Sequence, residues 1–116
     1  MLSKSSRYLW ATARAKTNTG YVGYITAFLL ASDGRIVKVM FRVPTTTVGG
    51  GANAISPSEF SDEYAAMADW PKGYVEMFKM EGPKTTEHGS DYTTARPVGK
   101  VSIGDEGCCA NVVWYS

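Results

Sequence analysis

Ser56-Pro57-Ser58-Glu59-Phe60-Ser61-Asp62-Glu63-Tyr64-Ala65-Ala66-Met67-Ala68-Asp69-Trp70-Pro71 is the stretch on which the fold turns. Ser56 can cap a helix, Pro57 sits where a helix needs no N–H, and Glu59 completes a capping box. Phe60, Tyr64, Met67 and Ala68 then recur at helical spacing, and Trp70-Pro71 closes the segment. The pattern predicts a helix from Pro57 to Asp69.

The residues upstream read as strands. Arg7 to Lys16 alternates, with Leu9, Ala11, Ala13 and Ala15 on one face and Tyr8, Trp10, Thr12, Arg14 and Lys16 on the other. After the turn Thr17-Asn18-Thr19-Gly20, Tyr21 to Leu30 is apolar on both faces, as suits a central strand. Ser32-Asp33-Gly34 is a hairpin signal. Arg35 to Val43 alternates again, Val37, Val39, Phe41 and Val43 inward and Lys38, Met40 and Arg42 outward. Thr45 to Ile55, with Gly49-Gly50-Gly51, reads as a mobile loop that lacks the Lys and Ser/Thr spacing of a phosphate cradle.

Downstream, Gly73 to Glu81, Val98 to Ile103 and Cys108 to Tyr115 read as strands, and Gly82 to Pro97 as a long, mobile polar loop. No internal repeat stands out. The expected fold class is α+β: an antiparallel β-sheet or small barrel of five or six strands, with one main helix between strands 3 and 4. Its core is expected to hold Ile25, Leu29, Val37, Val39, Phe41, Phe60, Tyr64, Met67, Val101 and Val112.

Length and composition set the outer limits. A chain of 116 residues, 44% apolar and 20% charged, suits a single domain spanning 1–116. Apolar runs are too short to span a membrane, and Lys4, Arg7, Arg14 and Lys16 interrupt any secretory h-region. The expected location is cytoplasmic, without a membrane partner. Cys108 and Cys109 are adjacent, so they form neither an ordinary disulfide nor, with the single His88, a zinc site. His88 also lacks the partners of a nucleophilic triad, and the carboxylate pairs Asp62/Glu63 and Asp105/Glu106 are mere sequence neighbours. The expectation is a protein that is not an enzyme and has no catalytic residues, metal or cofactor.

The net charge of +1 hides a division. Residues 1–44 carry seven basic side chains against Asp33 alone, a net of +6, whereas residues 45–116 carry a net of −5. Segregation of this kind suits an anionic partner. With Tyr8 and Trp10 read outward beside Arg14 and Lys16, flanked by Arg7, Tyr24, Lys38 and Arg42, the expected site is a cationic sheet face bearing aromatic rings. Single-stranded nucleic acid favours that combination: cations follow phosphates and rings stack on bases.

Three strands, a helix and further strands is also the order of elements in an OB-fold. In Arg14-Ala15-Lys16-Thr17-Asn18-Thr19-Gly20-Tyr21 and Trp70-Pro71-Lys72-Gly73-Tyr74-Val75, the chain resembles the small OB-fold single-stranded-DNA-binding proteins of phage type. The resemblance implies an OB-like barrel, DNA binding and a homodimer, and it places His88 and Arg96, in the polar loop, within reach of the ligand. The alternative expectation is a small phage or plasmid protein that inhibits a host defence complex by stoichiometric protein–protein binding.

Overall fold

A computed structural model of the chain describes residues 1–15, 20–47, 51, 52, 54–70, 72–82, 92–103 and 112–114. Seven strands run in chain order: β1 Tyr8–Ala13, β2 Tyr24–Leu30, β3 Ile36–Pro44, β4 Ala54–Pro57, β5 Tyr64–Asp69, β6 Tyr74–Glu81 and β7 Thr94–Ser102. They form two antiparallel sheets, β1-β2-β3 (sheet 1) and β4-β5-β6-β7 (sheet 2). The fold is all-β, not α+β. There is no helix among the described residues, and so none long and apolar enough to cross a membrane.

The expected helix is a hairpin. Ser58 N–H donates to the Tyr64 carbonyl at 2.9 Å. The Ser58 hydroxyl donates to the Ser61 carbonyl at 2.6 Å and accepts from Ser61 N–H at 3.1 Å. Ser56, the expected cap, therefore lies in β4, and Ser58 and Ser61 close the turn between β4 and β5. Tyr64-Ala65-Ala66-Met67-Ala68-Asp69 favours a helix locally, by less than about 1 kcal/mol per residue. Here it lies between β4 and β6 with Ala65 to Asp69 all buried, and that packing outweighs the preference.

The two sheets are copies of one unit. Residues 1–3 lie along the free edge of β1: Ser3 N–H donates to the Tyr8 carbonyl at 2.9 Å and Trp10 N–H to the Met1 carbonyl at 2.8 Å. Each sheet is thus an up-and-down meander of four segments. β1 and β5 are six residues long and begin at Tyr8 and Tyr64, and β3 and β7 are both nine residues long. β2 follows Gly23 as Tyr24-Ile25-Thr26-Ala27-Phe28, and β6 follows Gly73 as Tyr74-Val75-Glu76-Met77-Phe78. A repeat therefore exists where none was expected.

The sheets pack face to face, β1 against β4 and β3 against β7. Tyr8, Trp10, Ile25, Ala27 and Phe41 from sheet 1 meet Ile55, Met67, Tyr74, Phe78 and Met80 from sheet 2. Of the expected core, Ile25, Phe41 and Met67 are buried and Leu29 packs against them. Val37 and Val39 are more than half exposed. The pairing of β2 with β3 shifts register at Ala27/Phe28 and at Leu29/Leu30, which turns Val39 to the Phe28 side. Phe60 and Val101 are also exposed.

Val98 to Ile103 lies largely within the longer β7, which also takes Thr94 to Pro97 from the expected loop. Most of Cys108 to Tyr115 falls outside the described residues, and Val112 to Trp114 are not in a strand. The rest of the two expected mobile segments, 49–50 and 83–91, also falls outside them.

Candidate functional site

The apolar face of sheet 2 becomes polar toward the end where β3 leads into β4. Along β6, Met80 and Phe78 are followed on the same face by Glu76 and Tyr74, both buried. Tyr74 pairs with Asp69 on β5, and Glu76 with Lys100 on β7. Thr45, Thr46 and Thr47 arrive from the end of β3, where Thr45 N–H donates to the Gly23 carbonyl at 2.8 Å.

Asp69 is fully buried and anchors the connection between the sheets. Its two carboxylate oxygens accept N–H groups from Gly51 and Ala52, each at 2.9 Å. Ala52 has a φ of 35°, a conformation that costs a non-glycine residue energy and that these bonds hold in place.

Glu76 is 2% exposed, and the Thr46 hydroxyl lies 2.8 and 3.0 Å from its two oxygens. Burial pushes its carboxyl above the usual range, opposed by Thr46 and the Lys100 charge. Burial likewise pushes the Tyr74 phenol up to about 12, with Thr47 opposing and the charges of Asp69 and Glu76 adding. The Tyr74 hydroxyl is buried without a hydrogen-bond partner among the described residues. Lys100 Nζ stands 4.1 Å from the Tyr74 ring centroid and donates to Thr47 Oγ1 at 2.9 Å. The solvent side of the cluster therefore offers the Lys100 ammonium group and the Thr47 hydroxyl, a set that can hold a carboxylate. Among the described residues, no three His, Cys, Asp or Glu side chains gather as metal ligands.

The expected nucleic-acid face is not assembled. Tyr8 and Trp10 point into the core at 3% and 1% exposure, and Trp10 meets Phe41 edge-on at 5.8 Å. Arg7 and Arg14 are exposed, and the Arg7 guanidinium lies 5.9 Å from the Tyr8 ring centroid. Tyr24 and Arg42 do come together, the guanidinium 3.9 Å from the ring centroid, on the outer face of sheet 1. Lys38 is exposed on β3; Lys16 and His88 lie outside the described residues; Arg96 is paired with Glu81. Tyr8 and Trp10 misled because β1 has apolar residues on both faces, so alternation alone does not say which face is inward. Asp69, Tyr74, Glu76 and Lys100 were missed as a group. The available signal was the alternation of β6, which places two polar side chains in line with Phe78 and Met80.

Two consecutive antiparallel meanders, one of three strands with an edge segment and one of four strands, packed face to face define a repeat protein of β type. No family model matches the chain. The chain is 35% identical over 114 residues, 98% of its length, to the carboxy-cis,cis-muconate cyclase of Neurospora crassa. It spans 28% of that protein. This likeness to a fungal enzyme overturns the expected kinship with phage OB-fold DNA-binding proteins. With it fall the non-catalytic nucleic-acid binder, the phage or plasmid inhibitor of a host complex, and the expectation that the protein is not an enzyme.

Proposed function

We propose that the chain is part of an enzyme that closes a ring on a carboxy-substituted cis,cis-muconate. Lys100 and Thr47 hold a substrate carboxylate in this reading. The observation that carries it is the 35% identity along nearly the whole chain to a cyclase of that name. Such a substrate contains its own nucleophile. A carboxylate oxygen adds to a conjugated C=C bond, the π pair moves to the carbon next to another carboxylate, and that carbon takes a proton supplied by solvent water. Atoms and electrons balance without an oxidant or co-reactant.

The Lys100 ammonium offsets the negative charge that grows on the carboxylate beside the reacting carbon. Glu76, at 2% exposure, does not reach substrate; by accepting the Thr46 hydroxyl proton it positions the segment that carries Thr47. A cytoplasmic location belongs to the same proposal, supported by a sequence whose two cysteines, Cys108 and Cys109, are adjacent and so do not make an ordinary disulfide with each other.

The test is loss of diene ultraviolet absorbance when the protein is mixed with carboxy-cis,cis-muconate. The expected result is saturable turnover, with Lys100→Ala both raising KM and lowering kcat. Absence of both turnover and saturable binding would overturn the reading.

A further inference from the structure

The contact between the two sheets joins two different faces. Sheet 1 contributes the face with Trp10, Ile25 and Ala27, and sheet 2 the face with Met67, Tyr74 and Phe78. In the repeat, Ile25 and Ala27 correspond to Val75 and Met77, which lie on the outer face of sheet 2. Tyr74 and Phe78 correspond to Tyr24 and Phe28, on the outer face of sheet 1. Each outer face is thus the counterpart of the inner face on the opposite sheet.

Both outer faces are apolar and incompletely covered. On sheet 1, Leu30 pairs with Ile36 and Phe28 with Val39, and Ile36 and Val39 are 54% and 57% exposed. On sheet 2, Val75 pairs with Val101, which is 63% exposed. A groove of about 340 Å³ lies there between Ala66, Val75, Met77 and Val101 and the residues 112–114. Adjoining apolar groups of this kind, exposed on a sheet face, mark a contact surface.

We infer that the outer face of sheet 1 in one copy packs on the outer face of sheet 2 in a second copy, repeating between copies the contact the chain makes within itself. The occupant is a second copy because the chain itself presents both halves of the contact, one at each end. The contact is head-to-tail, so it either closes into a ring or extends. Radially repeated four-stranded sheets pack in this manner. The cyclase relative, 28% of whose length these two units span, has room for several more sheets of this size.

The test is sedimentation velocity of the whole chain, of Val39→Lys and of Val101→Lys, with circular dichroism to verify the fold. Both side chains are more than half exposed, so neither substitution disturbs the core. The unsubstituted chain should associate with rising concentration, and each variant alone should be monomeric. An equimolar mixture of the two variants should form a 1:1 dimer through the two intact faces. A monomeric unsubstituted chain, a single variant that still dimerises, or a mixture that stays monomeric would each overturn the proposal.

Discussion

Thr46 and Glu76 join the two sheets across their seam: a hydroxyl just beyond β3 lies 2.8 Å from a carboxylate oxygen on β6. Burial raises the Glu76 carboxyl above its usual 4.5, so the fold prefers the protonated form. Its contribution is complete below the unfolded value and is lost as pH rises through the folded value. Glu76→Gln should therefore match the natural chain in stability below pH 4.5 and gain on it as pH rises. Thermal melts of both proteins across that range provide the measurement, and a variant that loses ground with rising pH would contradict the assignment.

Asp69→Asn keeps one acceptor oxygen and sets an NH2 group against the other backbone donor. Leaving that buried N–H unsatisfied should cost about 1–3 kcal/mol, read from urea midpoints at constant slope. An unchanged midpoint would mean that the connection from Gly51 to Ala52 is held by something else.

Gly23→Ala should destabilise although alanine is the better residue for most backbones. A Cβ at Gly23 would lie 2.8 Å from both the Ala13 carbonyl oxygen and the Ala52 Cβ. Both are backbone or short side-chain atoms that cannot swing aside, so a loss of about 1–3 kcal/mol is expected. Gly34→Ala offers a contrast: it meets no atom within 4 Å but strains a φ of 87°.

Trp10 should emit at short wavelength and resist iodide quenching, because it is 1% exposed, whereas Trp70, at 45%, should be quenched readily. Trp10→Ala should cost about 3–5 kcal/mol, as is usual for removing a buried tryptophan. A stability change near zero would contradict the burial of the ring against Phe41.

The antiparallel meander of β1, β2 and β3 was legible because Asp33-Gly34 marks a turn and the flanking runs alternate. β6 was legible for its strict alternation. The hairpin from β4 to β5 was not, since serine, proline and glutamate serve a helix start and a tight turn equally well, and alanine hides the burial of β5. The inward direction of β3 was lost to two register shifts, each of which moves the alternation by one residue. The repeat rests on a glycine, a tyrosine and a phenylalanine at matched spacing, too little to notice before the strands are superposed in the mind. The polar cluster is assembled from four separate segments, and only the pairing of β5, β6 and β7 with the end of β3 brings them together.

Every strand pairing within the two sheets joins neighbours in sequence, and this has a consequence for the order of folding. Local pairings close early, and the turn at Ala31–Arg35 is already tied by Gly34 N–H to the Ala31 carbonyl and by Arg35 N–H to Asp33. On the ribosome, sheet 1 can form while the rest of the chain is still being made, at about 5–20 residues per second. Its Trp10, Ile25 and Phe41 then have no opposing face until Met67, Phe78 and Met80 emerge. For those seconds the nascent chain displays a greasy aromatic surface, and that interval is when a chaperone has the most to bind.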